Sequence, residues 1–293
     1  MLLTFVLLFV GFAVLIKGAD FLVDGSSSLA KKMNVSNLAI GLTVVAFGTS
    51  TPELIVSTLA AVDGKNDASF GNIIGSNNFN LLFILGIAGL IYPLMVQRST
   101  VKYEVPLSIL AALVLYVLVN DTILWSSEQN ILSRLDAIIL LLFFGGFMVY
   151  IIRTMKSNSD IDQDDVKILN TWLSIGYVVL GLAMLVGGGK VVVDNAIAIA
   201  QHFGMSEKLI GLTILAAGTS LPELVTSCVA AYRKNTDIAI GNVIGSNIFN
   251  IFFILGVTGL IQPLEYSTAM NFDLMVLMAS TIVLMIFMFT LNT

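Results

Sequence analysis

The sequence has little cysteine, histidine or charge. Only 11% of its 293 residues are Asp, Glu, Lys or Arg, against about 25% in soluble domains, whereas 57% are hydrophobic and the mean hydropathy is +0.95. The single cysteine, Cys228, excludes an internal disulfide. The scarcity of charge excludes an ordinary soluble domain, and we expect no nucleic-acid partner.

Apolar runs long enough to cross a bilayer recur along the whole chain. About 20 apolar residues span the ~30 Å hydrocarbon layer. Nine spans are predicted, at residues 1–17, 37–61, 68–92, 105–120, 133–152, 171–187, 207–232, 238–262 and 271–291. The first run has no basic segment before it and no small-residue cleavage site after it, so we interpret it as a retained span. The sequence therefore predicts an all-α membrane protein embedded in the lipid bilayer.

The distribution of Lys and Arg among the loops predicts the orientation. If the N-terminus lies outside the cell, ten of the 14 Lys and Arg residues fall on the cytoplasmic side. Cytoplasmic loops carry such an excess. We therefore expect a multi-pass protein of the cell inner (plasma) membrane with its N-terminus outside.

An internal repeat organises the chain. At a constant offset of 170, residues 11–93 are identical to residues 181–263 at 39 of 83 positions. Five spans separate equivalent points, so the second copy enters the membrane upside down, as in many secondary transporters. We expect a first repeat at 1–152, a cytoplasmic linker at 153–170 and a second repeat at 171–293. The first repeat has five predicted spans and the second has four, so no counterpart of the fifth span is predicted before Thr293.

The segments GLTVVAFGTSTPELIVS and GLTILAAGTSLPELVTS place a carboxylate inside a span in each repeat, at Glu53 and Glu223. A carboxylate at the centre of a span costs about 2.5–3.5 kcal/mol on insertion scales and is functional by default. No Lys or Arg lies in the central part of a predicted span. Protons or bound cations are therefore the expected partners of the two glutamates.

Proline precedes each glutamate. Pro52 and Pro222 have no N–H, so the carbonyls of Gly48 and Gly218 lose their helical partners and become available to a hard cation. The helical i, i+4 spacing also puts a threonine on the same face as each glutamate.

The next span of each repeat carries GNIIGSNNFN or GNVIGSNIFN. Spacing by four predicts one polar stripe in each, at Asn72, Ser76 and Asn80 and at Asn242, Ser246 and Asn250. For Asn72, Asn77, Asn242 and Asn247, hydrogen bonding between helices explains the amide equally well. The whole inventory is oxygen, which suits Ca2+ better than Mg2+ or a soft metal.

The paired motifs GxTxxAxGTSxPE and GNxIGSNxFN resemble the two repeats of the Ca2+/cation antiporter superfamily, which includes sodium/calcium and proton/calcium exchangers. The resemblance covers nearly the whole chain. It implies a sodium/calcium exchanger-like, ten-helix inverted-repeat fold with alternating access by sliding of the first and sixth helices. It also implies these metal ligands: Glu53, Glu223, Thr49, Thr219, Ser50, Ser220, Ser76, Asn80, Ser246 and Asn250.

One feature of the ligand set departs from the superfamily. Exchangers that resemble this chain have aspartate at one of the positions held here by Asn80 and Asn250. The missing carboxylate leaves the coupling ion and the stoichiometry open.

These observations predict a secondary active antiporter that extrudes Ca2+ in exchange for Na+ or H+, with no permanently bound cofactor. A passive cation channel or a cation-binding membrane protein using the same oxygens is the alternative. An enzyme is not expected, because the sequence has no H-E-x-x-H or G-x-S-x-G motif. The oligomeric state stays open, and a monomer is compatible with the predicted site.

Overall fold

A computed structural model describes residues 1–124, 126–154, 168–205 and 216–291. Most of the predicted linker at 153–170 and the start of the predicted span at 207–232 therefore lie outside the described residues. The described part is almost entirely helical, as predicted.

Ten helices carry the described part of the fold, two of which are the halves of one bent span, and we number them in chain order. They are α1 (Leu2–Met33), α2 (Asn37–Thr49), α3 (Thr51–Val62), α4 (Asn66–Ile91), α5 (Thr100–Val119), α6 (Arg134–Thr154), α7 (Thr171–His202), α8 (Leu221–Tyr232), α9 (Thr236–Ile261) and α10 (Asn271–Leu291). Seven of the described helices are long and apolar enough to cross a membrane, and the bent pair α2–α3 makes an eighth candidate span.

Helices α1 and α7 are much longer than predicted. The predicted spans end at residues 17 and 187, whereas the helices continue to Met33 and His202. At 1.5 Å per residue each is about 48 Å long, well beyond the hydrocarbon thickness. Hydropathy misses the second part of α1 because Lys17, Asp20 and Asp24 lie there, although its other face is buried. Lys17 and Lys190 thus lie within helices rather than in loops.

Small residues let α1 and α7 cross at close range. A Cβ atom added to Gly181 would lie 2.7 Å from both the carbonyl oxygen of Gly18 and the amide nitrogen of Leu22. Two backbones approach this closely only where the side chain is a hydrogen atom. The two equivalent helices of the halves therefore form one antiparallel pair along the side of the bundle.

Helices α2 and α3 form one span that bends by 45° at Ser50. The amide of Ser50 donates to the carbonyl of Ala46 at 3.0 Å, and Pro52 has no N–H to offer the carbonyl of Gly48. Ser220 has nearly the same backbone angles just before α8. The proline therefore breaks the helix at the same point of both repeats.

Helices α4 and α9 run through the middle of the molecule. In the most apolar 18-residue stretch of α9, 94% of the residues are buried. Each changes to π-helix near its centre, at Asn80–Ile84 and Phe249–Leu255. Such segments often occur at functional sites. Helices α5 and α6 pack against α9 and α10 packs against α4, whereas α1 and α7 pack against each other and against α8. The pair of two-residue strands β1 (Ile131–Leu132) and β2 (Leu264–Glu265) is antiparallel and joins loops of the two halves.

Candidate cation site

Glu53 and Glu223 lie in the first turns of α3 and α8, directly after the breaks, and both are fully buried. The unpaired amides of a helix N-terminus favour a negative charge at this position. Ser50 Oγ donates to Glu223 Oε1 at 2.9 Å, and Ser220 Oγ donates to Glu53 Oε1 at 3.1 Å. Each carboxylate is thus held by a serine from the other half.

The two serines of the polar stripes differ in their hydrogen bonding. Ser76 Oγ donates to Glu53 Oε1 at 3.3 Å and lies 2.9 Å from Ser220 Oγ. Ser246, its equivalent in the second half, is fully buried and lies beside the carboxylate of Glu223, but its Oγ forms no hydrogen bond of standard geometry in the described structure. Equivalent serines of the two halves therefore occupy equivalent positions but differ in their hydrogen bonds.

Asparagines from α4 and α9 meet at the centre of the molecule. Asn77 and Asn247 donate to each other's backbone carbonyls at 3.1 and 3.3 Å. Asn80 Nδ2 donates to Asn247 Oδ1 at 3.1 Å, and Asn250 Nδ2 donates to Asn77 Oδ1 at 2.9 Å. These bonds use the amide N–H groups of Asn80 and Asn250 and leave their side-chain oxygens unused.

Asn72 supports the first glutamate from the adjacent helix. Its Nδ2 donates to Ser57 Oγ at 2.9 Å and to the backbone carbonyl of Glu53 at 3.4 Å, while its Oδ1 accepts from Thr219 Oγ1 at 3.1 Å. Asn72 therefore forms hydrogen bonds between helices, which is one of the two roles that the sequence allowed for it. The hydroxyl of Thr219 donates to this amide and also interacts with the side chain of Glu53.

The second half repeats this arrangement with the equivalent residues. Asn242 Nδ2 donates to Ser227 Oγ at 2.9 Å and to the carbonyl of Glu223 at 3.3 Å, and its Oδ1 accepts from Thr49 Oγ1 at 3.0 Å. Ser57 and Ser227 were missed in the sequence, although each lies four residues after a glutamate on the same helical face.

All ten residues predicted as ligands are buried, and hydrogen bonds join nine of them into two groups, one around Glu53 and one around Glu223. Five side-chain oxygens of the ten residues have no hydrogen-bond partner in the described structure: Glu53 Oε2, Glu223 Oε2, Asn80 Oδ1, Asn250 Oδ1 and Ser246 Oγ. Buried oxygens are costly unless a proton donor or a cation satisfies them. Oxygen atoms of this kind, from carboxylates, amides and hydroxyls, are the ligands of hard cations.

Comparison with known proteins identifies the family of the chain. The sequence model of the family described as sodium/calcium exchanger protein matches residues 3–153 and 173–293. The chain belongs to the sodium/calcium exchanger family.

Relatives of this exchanger cover nearly its full length. The sodium/calcium exchanger MaX1 of Methanosarcina acetivorans is 34% identical over 98% of the chain and 91% of its own length. Inner membrane protein YrbG of Escherichia coli is 36% identical over 90% of the chain and 82% of its own length. The structure matches that of the sodium-calcium exchanger NCX_Mj with a TM-score of 0.84 at 32% identity, covering 98% of this chain and 91% of the other. The predicted inverted-repeat exchanger fold is thereby confirmed.

Nothing in the described part of the exchanger supplies a positive charge to the two glutamates. The ion pairs there involve Asp20, Asp24 and Asp63, all outside the site. Nor do the described residues contain a group of three or more His, Cys, Asp and Glu side chains of the kind that holds a transition metal. Protons or hard cations remain as the groups that can balance Glu53 and Glu223.

Proposed function

We propose that this exchanger carries Ca2+ out of the cell in exchange for Na+ or H+ through one buried site shared by its two halves. The observation that carries the proposal is the set of five unpartnered oxygens. Three come from the second half and two from the first, so neither repeat alone supplies the ligand set.

Ca2+ fits the number and the kind of these ligands. The ion takes six to eight oxygens in flexible geometry, whereas Mg2+ demands a tight octahedron and keeps several waters. The five side-chain oxygens, together with the carbonyls of Gly48 and Gly218, to which the two prolines donate no hydrogen bond, would make seven. Two carboxylates also match the two charges of Ca2+, so the bound ion would need no further counter-charge.

Competition for the same carboxylates would give exchange. Two monovalent cations, or two protons, can replace one Ca2+ without changing the charge of the site. Ser50 and Ser220 bind the carboxylates and supply oxygens beside them, and we propose that they line the flanking positions of the monovalent ion. Thr49 and Thr219, whose hydroxyls already donate to amides, would contribute their backbone carbonyls instead.

The counter-ion that we expect is Na+. MaX1 and NCX_Mj are both named sodium/calcium exchangers, which supports this choice. The asparagines at positions 80 and 250 provide no third carboxylate, so we expect fewer bound monovalent ions than a site with three carboxylates would hold.

We also propose the orientation and the compartment. The N-terminus would lie outside an inner (plasma) membrane, with residues 1–152 and 171–293 as the two inverted repeats and the linker at 153–170 in the cytoplasm. The excess of Lys and Arg on that side supports this orientation, and a relative named as an inner membrane protein supports the compartment.

Radiolabelled Ca2+ uptake into proteoliposomes tests the exchange. Vesicles receive an outward Na+ gradient alone, then an outward H+ gradient alone, with the membrane potential clamped. We expect uptake at least tenfold above gradient-free vesicles with Na+. Uptake driven only by the H+ gradient would assign H+ as the counter-ion, and uptake that ignores both gradients would indicate a passive channel.

A further inference from the structure

A cluster of three charges joins the two halves at one end of the bundle. Arg233, which directly follows α8, donates from Nη2 to Asp20 Oδ1 at 2.5 Å and from Nη1 to Asp24 Oδ1. Asp20 and Asp24 lie one turn apart on α1. The side chains of Arg233 and Asp20 are 33% and 21% exposed, so water only partly screens the interaction.

The repeat gives the Arg233–Asp20 pair an equivalent with the charges reversed. At the offset of 170, Arg233 corresponds to Asp63 and Asp20 corresponds to Lys190, whereas Asp24 corresponds to Asp194 and keeps its sign. A plain duplication would have kept the sign of each charge. Instead both members of the pair have changed sign, so the equivalent pair of Asp63 and Lys190 is again attractive. Because the repeats are inverted, this second pair belongs to the opposite face of the membrane.

The second pair is not formed in this structure. Asp63 pairs with Lys65 at 3.5 Å, and both side chains are more than half exposed. Lys190 is exposed and forms no ion pair with a described residue. At one face of the bundle, Arg233 therefore links the two halves. At the other face, Asp63 and Lys190 form no ion pair with each other.

Transporters built from inverted repeats change access when one unit moves relative to the other about a fixed central site. If the two halves exchange conformations in that movement, the contact of Arg233 with Asp20 is replaced by the equivalent contact of Asp63 with Lys190. We propose that Arg233 with Asp20 and Asp24, and Lys190 with Asp63, are alternative ion pairs, each of which stabilises one of the two access states. This inference rests on the proposed function, since it needs a protein that alternates.

Exposed spin-label positions exist at both faces and are themselves equivalent in the repeat. Met33 and Tyr232 report the separation of α1 from α8, and their equivalents Phe203 and Val62 report the separation of α7 from α3. All four side chains are at least 60% exposed. Each pair would be changed to cysteine in a Cys228→Ala background, and distance distributions would be measured by double electron–electron resonance in proteoliposomes.

The expected results have opposite signs. Arg233→Gln should increase the population with a long 33–232 and a short 203–62 distance by about fivefold, the size of a partly exposed ion pair. Lys190→Gln should decrease that population, and the double variant should lie near the unsubstituted protein. Exchanging the charges with Asp63→Lys and Lys190→Asp should restore the original distribution, whereas the control Lys65→Gln should not decrease it.

A structural role alone would not give opposite shifts. If Lys190→Gln has no effect, or shifts the distances in the same direction as Arg233→Gln, the alternative pairs are wrong. Ca2+ uptake by the same unlabelled protein separates this outcome from failure of the proposed function. Normal gradient-driven uptake with no opposite shifts rejects only the ion pairs, whereas uptake that ignores every gradient rejects exchange itself.

Discussion

Each glutamate of the site depends on the other half of the chain. Glu53 accepts from Ser220, and Glu223 accepts from Ser50, so the two carboxylates are oriented by residues about 170 positions away in sequence. One oxygen of each carboxylate is left without a partner. The free oxygens are the positions at which a cation would replace a missing hydrogen bond.

Replacing either glutamate with glutamine tests this role. Glutamine keeps the shape of the side chain but removes one of the two charges that balance Ca2+. Loss of one member of a buried charge pair costs about 3–5 kcal/mol, so we expect Ca2+ affinity to fall more than 100-fold for both Glu53→Gln and Glu223→Gln. Equilibrium Ca2+ binding in detergent measures it, with the exposed Glu128→Gln as the matched control. Near-normal affinity in either variant would remove that residue from the ligand set.

The equivalent serines of α4 and α9 should behave differently. Ser76 already hydrogen-bonds within the protein, whereas Ser246 Oγ forms no hydrogen bond of standard geometry in the described structure. Ser246→Ala should therefore lower Ca2+ affinity with little change in thermal stability. Ser76→Ala should lower the free energy of unfolding by about 1 kcal/mol as well, since it removes a buried hydrogen bond. Thermal melts without Ca2+ and binding titrations distinguish the two, and identical behaviour of the variants would contradict the assignment.

Among the helices, the two long ones, α1 and α7, differ from the broken spans that carry the glutamates. Helices α1 and α7 are 32 residues long and rest on each other, whereas the glutamates are carried by spans broken at Ser50 and Ser220. The long pair has small residues at its crossing, and the broken spans surround α4 and α9. The helix pair at the side of the bundle is thus distinct from the central helices that carry the proposed ligands.

The close crossing predicts a position-specific effect of glycine substitution. In Gly181→Val the added Cβ atom would lie 2.7 Å from backbone atoms of α1, so α1 and α7 must separate. Overpacking of this kind typically costs about 1–3 kcal/mol or more. We expect a lower melting temperature and a lower yield of monodisperse protein. Gly176→Val in the same helix is the control, because a Cβ atom there meets no described atom within 4 Å. Equal loss in both variants would indicate an effect of helix propensity rather than of the crossing.

At the scale of the molecule, the duplication made much of the fold predictable. A constant offset of 170 relates the two copies, so the inversion and the pairing of Glu53 with Glu223 could be inferred without coordinates. Side chains on one helical face, such as Ser76 and Asn80, could also be grouped by spacing. These inferences need only local periodicity and the count of spans.

Contacts between the halves could not be predicted in the same way. Which serine donates to which glutamate, and the link from Arg233 to Asp20, depend on how distant segments pack. Hydropathy also placed the ends of α1 and α7 too early, because charged residues on one face mask a buried face on the other. The spacing of residues in the sequence identifies the side chains that share a helix face. Tertiary packing decides which residues of other helices that face contacts.

The number of Ca2+ ions bound by each chain tests the central claim most directly. If Glu53 and Glu223 belong to one site, purified protein saturated with radiolabelled Ca2+ binds one ion per chain with high affinity, and each single Glu→Gln variant loses it. If the two glutamates formed separate sites, the unsubstituted protein would bind two ions and each variant would retain one. Equilibrium dialysis of the three proteins at equal concentration decides between these results, and retention of one ion by both variants would contradict the shared site.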